Sequence, residues 1–215
     1  MAYITIREYG EDSFIEKKSE FIGYAKRVEN EEEAKAFVAE IKSKHKQARH
    51  NCWAYVIGEN MGIQRYSDDG EPQGTAGIPI LEVMKKSDIT DCAVVVTRYF
   101  GGTLLGTGGL IRAYTKSTKE GIKESMVIEK CLGVMLSLTC DYTTSGKIQY
   151  LTATEHIPVL DTVYTDNVTF EMIVPVEEVG SVEKKFMEAS MGKAVLKKGE
   201  ETYYAEIDGK ISYDL

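Results

Sequence analysis

Proline is scarce, with 4 in 215 residues, and no low-complexity segment interrupts the chain. This composition excludes collagen-like repeats and argues against disorder. Cysteine is also scarce. Cys52, Cys92, Cys131 and Cys140 form no CxxC pair, so neither a zinc site nor a disulfide frame is expected. Reduced, partly buried thiols are expected instead. Hydrophobic runs are short: Cys92–Val96 spans five residues, whereas roughly 20 are needed to cross a bilayer. The N-terminal stretch meets charge at Arg7 and Glu8 and builds no signal-peptide core. A soluble, cytoplasmic protein with no membrane partner is expected.

Positive charge is outweighed overall, with 26 Lys and Arg against 34 Asp and Glu, a net of −8. At face value this disfavours nucleic acid as a partner. The distribution is uneven, however. Residues 1–132 carry 19 basic and 20 acidic side chains, and residues 133–215 carry 7 and 14. The acidity therefore belongs to the C-terminal part, which offers a surface for a protein partner.

The pattern is that of an α+β chain in two domains, 1–132 and 133–215, with a short, stiff connection. Strands are expected at Tyr3–Glu8, Ser13–Lys18 and Phe21–Arg27. A helix follows, with Asn30 as N-cap, Glu33 at the capping-box position, and Ala34, Phe37, Val38 and Ile41 on its buried stripe. Lys42, Lys44 and Lys46 suit its negative end. Next come a strand at Asn51–Ile57, a polar loop at 58–74, and a helix beginning between Thr75 and Pro79. Cys92–Thr97 has the β-branched continuity of a strand covered on both faces. A helix is expected over 110–125. Beyond Gly133 the periodicities give β-α-β-β-α-β, the split-βαβ, ferredoxin-like order, ending in strands at Ala194–Lys198 and Thr202–Ile207.

Gly101, Gly102, Gly106, Gly108 and Gly109 lie between the Cys92 strand and the following helix. Glycine suits positive φ and close ligand approach, and a helix opening at such a loop offers unpaired N–H groups to an anion. The known phosphate loops do not fit. A Walker loop needs Lys-Ser/Thr after its glycine, where Leu110-Ile111 stands, and a dinucleotide fingerprint from Gly106 needs Gly or Ala where Ile111 stands. Sharp turns and tight packing are the plainer use. Arg112, Lys116, Lys119 and Lys123 then fall within an arc of about 60° on the helix. The arc reads either as a solvated, salt-bridged face or as a strip for a phosphate backbone. Arg98 adds a cation, and Tyr99-Phe100 add stacking surfaces.

The acidic loop Ser67-Asp68-Asp69-Gly70-Glu71-Pro72 offers carboxylates for a metal or for acid/base chemistry through Asp68, Asp69 and Glu71. It does not match an EF-hand, and Asp-Gly and Glu-Pro also form ordinary turns. His50 and Cys52 share a strand face, the placement of a base and a nucleophile, although a packed thiol beside a hydrogen-bonded imidazole explains them better.

Three stretches, His50-Asn-Cys-Trp-Ala-Tyr55, Ser67 through Ile80, and Val96-Thr-Arg-Tyr-Phe-Gly-Gly-Thr-Leu-Leu-Gly-Thr-Gly-Gly-Leu-Ile-Arg-Ala-Tyr114, resemble the signature of the IMPACT/YigZ family in its two-domain bacterial form. The resemblance implies an N-terminal ribosomal-protein-like β-α-β domain similar to domain IV of elongation factor G. It implies a C-terminal ferredoxin-like domain similar to domain V, and a role in translation, as for the eukaryotic relatives. The combined expectation is a non-enzymatic RNA- or ribosome-binding protein that uses Arg98, Tyr99, the five glycines and the Arg112–Lys123 face. That reading requires no cofactor and no metal. The alternatives are an enzyme for a small phosphorylated or carboxylated substrate, using Asp68, Asp69, Glu71 and His50, and a protein-interaction module.

Overall fold

The computed structural model describes residues 2–213. The chain divides into two compact units, 3–128 and 129–213, with Ala2 belonging to the second. Strand β1 is Ala2–Ile6. In the first unit follow β2 (Gly10–Glu16), β3 (Ser19–Arg27), α1 (Glu31–Lys44), β4 (His50–Ile57), β5 (Ile63–Ser67), α2 (Gly77–Lys86), β6 (Cys92–Tyr99) and α3 (Thr107–Glu124). Strand β7 runs Val127–Cys140, so no linker segment interrupts the chain at 128/129.

The sheet of the first unit is antiparallel, in the order β2-β3-β6-β4-β5. Its centre, β6, explains the apolar run by strict alternation. Cys92, Val94 and Val96 pack with Ile80, Met84, Leu110 and Tyr114 of α2 and α3, whereas Ala93 and Val95 pack with Phe37 and Ile41 of α1. Both faces are covered, so neither set of side chains is polar. Helix α1 starts as its sequence dictates. Asn30 Oδ1 accepts the Glu33 N–H at 2.9 Å, and Glu33 reaches back to accept the N–H of Glu29. Lys44 pairs with Glu11, whereas Lys42 leaves the helix end to pair with Asp69.

Three local expectations are corrected. The polar segment 58–74 contains β5, an edge strand whose register sets Tyr55 opposite Arg65. Its exposed face carries no apolar alternation, which hid it. Helix α3 begins at Thr107 and not at Leu110, so Gly108 and Gly109 lie in its first turn; two poor helix formers disguised that turn. The last two expected strands are one, β10 (Val195–Ile207), with a register shift between Lys198 and Glu201, followed by β11 (Lys210–Ser212).

The second unit runs β7, α4 (Tyr142–Thr154), β8 (Val159–Tyr164), β9 (Val168–Pro175), α5 (Val179–Ala189), β10. Its antiparallel sheet has the order β11-β10-β7-β9-β8. Leu136, Leu138, Phe170 and Met172 of the sheet share one core with Ile148 of α4 and Phe186 of α5. Asp141 caps α4 by accepting the Thr144 N–H at 2.8 Å, and this bonding with the Thr143 hydroxyl holds its carboxyl down at about 2. Among the described residues no helix is long and apolar enough to cross a membrane, and all four cysteines are free.

Glycine sets how closely α3 approaches the sheet. A Cβ on Gly23 of β3 would lie 2.2 Å from the Ser117 carbonyl oxygen of α3. Gly23→Ala should therefore destabilise by about 3 kcal/mol or more through forced separation. Gly146→Ala, within α4 and free of neighbours within 4 Å, should stabilise by about 0.5–1 kcal/mol. Urea denaturation of both variants checks the opposite signs; equal effects would show that contact with α3 is not what selects Gly23.

Candidate functional site

The site is built on one buried ion pair. Arg98 lies near the end of β6, opposite Phe21 of β3 and His50 of β4 in register, with its side chain on the α2/α3 face. Its Nη1 donates to Glu71 Oε1 at 2.7 Å, and the two side chains are 5% and 4% exposed. Nη2 lies 3.3 Å from Ser19 Oγ, which also accepts the N–H of Gly101 at 3.2 Å. The guanidinium lies 5.3 Å from the Phe21 ring centre and 5.4 Å from that of Phe100. Tyr114 of α3 donates to the same Glu71 oxygen at 2.9 Å. Loop 68–74, β3, β6 and α3 thus meet at a single buried ion pair.

The remaining acidic residues of the loop are committed elsewhere. Asp68 Oδ1 accepts the N–H groups of Ala76 at 3.0 Å and Gly77 at 2.8 Å, and Oδ2 accepts that of Gly74 at 2.8 Å. It caps α2, whose own N-cap residue, Ala76, has no side chain for the task. Asp69 accepts from Lys42 Nζ at 2.6 Å and from the Asn51 N–H at 2.7 Å. These carboxylates do not converge, and among the described residues no cluster of three His, Cys, Asp or Glu is placed to hold a metal. The expectation of Asp68, Asp69 and Glu71 as joint metal ligands or acid/base groups is corrected: each binds a different part of the fold. The Cys52 thiol is fully buried, 2.9 Å from the Asp68 carbonyl oxygen and 3.3 Å from the Tyr114 hydroxyl. Burial pushes it well up, so it is a packed thiol and no nucleophile.

His50 is different. Its Nδ1 lies 3.0 Å from the Asp69 carbonyl oxygen. A carbonyl only accepts, so Nδ1 carries the proton and Nε2 is left for another partner. His50, Arg49, Glu71 and Arg98 line a cleft of about 440 Å³ with Phe100, Leu104 and the start of α3 at Gly106 and Thr107. The acidic loop and the glycine loop therefore share one concavity. Gly106, at φ 72°, turns the chain into α3 with no side-chain cap, which leaves the first-turn N–H groups unpaired. Gly101 is required by packing, since a Cβ there would lie 1.9 Å from the Lys18 carbonyl oxygen.

The other predicted residues separate into two sets. Arg112, Lys116, Lys119 and Lys123 all lie exposed along α3. Among the described residues only Lys116 is ion-paired, to Glu120 at 3.6 Å, and its ammonium also lies 4.1 Å from the Phe14 ring centre. The other three are solvated, without an ion pair among the described residues. Arg98 and Tyr99 are corrected as contact residues. Arg98 spends its charge on Glu71, and Tyr99 alternates to the other side of the sheet, where its hydroxyl meets His45 Nδ1 at 2.8 Å. Burial holds that imidazole below its usual range. Phe100, 40% exposed, is the aromatic at the cleft. Arg49 and Leu104 were missed; the cation beside His50 was the available signal for the former.

An α+β chain whose signature loops share one cleft at a glycine-opened helix is the class that this geometry defines. The Impact N-terminal domain model matches residues 17–122, and the model of a domain of unknown function, DUF1949, matches 138–193. "IMPACT family member YvyE" of Bacillus subtilis is 46% identical over 202 residues, which is 94% of this chain and 93% of the relative. "IMPACT family member YigZ" of Escherichia coli is 34% identical, over 84% of this chain and 89% of its own length. A crystal structure of a hypothetical protein matches at TM-score 0.59 and 31% identity, covering 93% of this chain and 98% of that one. The chain belongs to the IMPACT family.

Glu71→Ala should destabilise by about 3–5 kcal/mol, because it strands a buried guanidinium. Arg98→Met with Glu71→Leu should cost less than the sum of the two single changes. Chemical denaturation of the four proteins measures the coupling, and simple additivity would refute a shared pair.

Proposed function

We propose that this protein is a non-enzymatic RNA-binding factor acting in translation, with the exposed face of α3 as its phosphate-binding surface. The observation that carries the reading is the strip Arg112, Lys116, Lys119 and Lys123, exposed along one helix, three of the four without an ion pair among the described residues. Unpaired cations at regular spacing release counterions when they meet phosphates, and they retain no internal partner to compete. The glycine-opened start of α3 extends the strip with backbone N–H groups. The family resemblance supports the link to translation and the likeness of the two units to domains IV and V of elongation factor G. The ribosome or a structured RNA is the partner, and the acidic C-terminal region is offered to a protein partner.

A small-ligand reading has one observation in its favour: the two signature loops line the same cleft. It lacks free carboxylates, since Asp68, Asp69 and Glu71 are all engaged.

Binding to ribosomes or a structured RNA should weaken with salt, log K falling against log[salt] with a slope of about −3 for four phosphate contacts. Arg112→Glu with Lys116→Glu should lower the affinity and flatten that slope by about half. Salt-independent binding that is indifferent to both reversals would sink the phosphate strip.

A further inference from the structure

The cleft at the start of α3 combines features that the strip does not use. Its polar lining holds the exposed cation Arg49, which makes no ion pair among the described residues, the open Nε2 of His50, and the uncapped first turn of α3. Arg98 also lines it, and the Nε of that 96%-buried residue has no hydrogen-bond partner. Its apolar lining includes Phe100 and Leu104, exposed by 40% and 82%. Phe100 has Arg98 over its ring at 5.4 Å, so the ring is held in place from one side while much of it stays open. Cationic and N–H donors lining the same cleft as an open aromatic call for a ligand with an anionic group joined to a flat ring. The volume of about 440 Å³ lies in the range of small-molecule sites, roughly 300–1,000 Å³, and is large enough for a single nucleotide.

We infer that this cleft seats one unpaired nucleotide, its phosphate at the first turn of α3 beside Arg49 and its base against Phe100 and Leu104. The inference rests on the RNA-binding reading and deepens it. The α3 strip holds the backbone of a strand without regard to pairing, and the cleft accepts only a base that is free to leave its stack. The Arg49 guanidinium donates to the phosphate, and the His50 Nε2 accepts from an N–H of the base edge. Glu71, paired with Arg98, keeps the wall rigid and near neutral.

The probes are a paired RNA duplex, the same duplex with one bulged nucleotide, adenosine monophosphate, and inorganic phosphate. The bulged duplex should bind about ten-fold more tightly than the paired one, the size expected of one base stacked on an aromatic side chain. Phe100→Ala should bring that ratio to about one, and so should Leu104→Asp, which alters a side chain too exposed to matter for folding. Lys119→Glu with Lys123→Glu should weaken both duplexes by a common factor and leave the ratio intact. Adenosine monophosphate should shift the amide resonances of Thr107, Gly108 and Gly109 at concentrations where inorganic phosphate does not. Equal effects of the two small probes, or a ratio near one in the unaltered protein, would overturn the nucleotide seat. Failure of both duplexes to bind, with the monophosphate still bound at these amides, would instead count against the phosphate strip and spare the seat.

Discussion

A guanidinium buried beside a carboxylate is the constraint on which the first unit depends. Removing two charges from water costs several kcal/mol per ion unless geometry and further hydrogen bonds offset it. Here the offsets come from four separate segments: Glu71 from the acidic loop, Ser19 from β3, Tyr114 from α3, and the ring faces of Phe21 and Phe100. None of these elements can shift alone without leaving a charge or hydroxyl unpaired in a dry interior. The pair therefore adds little net stability but much specificity of arrangement. It fixes the acidic loop against the helix whose N-terminus the glycine loop opens.

That fixity changes the meaning of the acidic loop. Three carboxylates close together in sequence suggest chemistry, yet here they serve as fasteners. Asp68 closes the start of α2, Asp69 ties the loop to α1 and β4, and Glu71 ties it to β6 and α3. The loop is consequently rigid where it borders the cleft. On the other side, Gly106 has no cap and Leu104 projects into solvent. A rigid wall facing an uncapped helix start would need little reorganisation to meet the anion proposed for it.

The distribution of apolar residues made most of the first unit legible from sequence alone: the Asn30 cap, the α1 stripe and the two-faced strand at Cys92 all follow from local rules. What local rules miss is what distant partners decide. The strand Ile63–Ser67 is held by its register with β4 and shows no pattern of its own. The first turn of α3 carries two glycines that propensity counts against a helix, and only packing of Leu110, Ala113 and Tyr114 behind it sustains that turn. The cleft shows the same division. Its glycines, His50 and acidic loop were visible as motifs, but Arg98 reads as a free cation until Glu71, 27 positions earlier, is seen to neutralise it. Tyr99 and Phe100 are adjacent in sequence, and the pleat of β6 sends them to different surroundings.

Net charge is the quantity most altered by this geometry. A total of −8 describes no surface that a ligand meets. In the first unit Lys42, Lys44, Arg27 and Arg98 are each consumed by a carboxylate, and this pairing removes acidic and basic charge together. Among the described residues, Arg112, Lys119 and Lys123 survive unpaired on α3, with Lys116 only loosely held and a single exposed carboxylate, Glu124, beside them. Internal pairing acts as a subtraction carried out in space, and its remainder has a position. Because the screening length at physiological salt is about 8 Å, an anion near α3 responds chiefly to the charges on that helix and its immediate surroundings. Whether a protein of acidic composition binds phosphates is thus decided by which cations lack partners and where they stand.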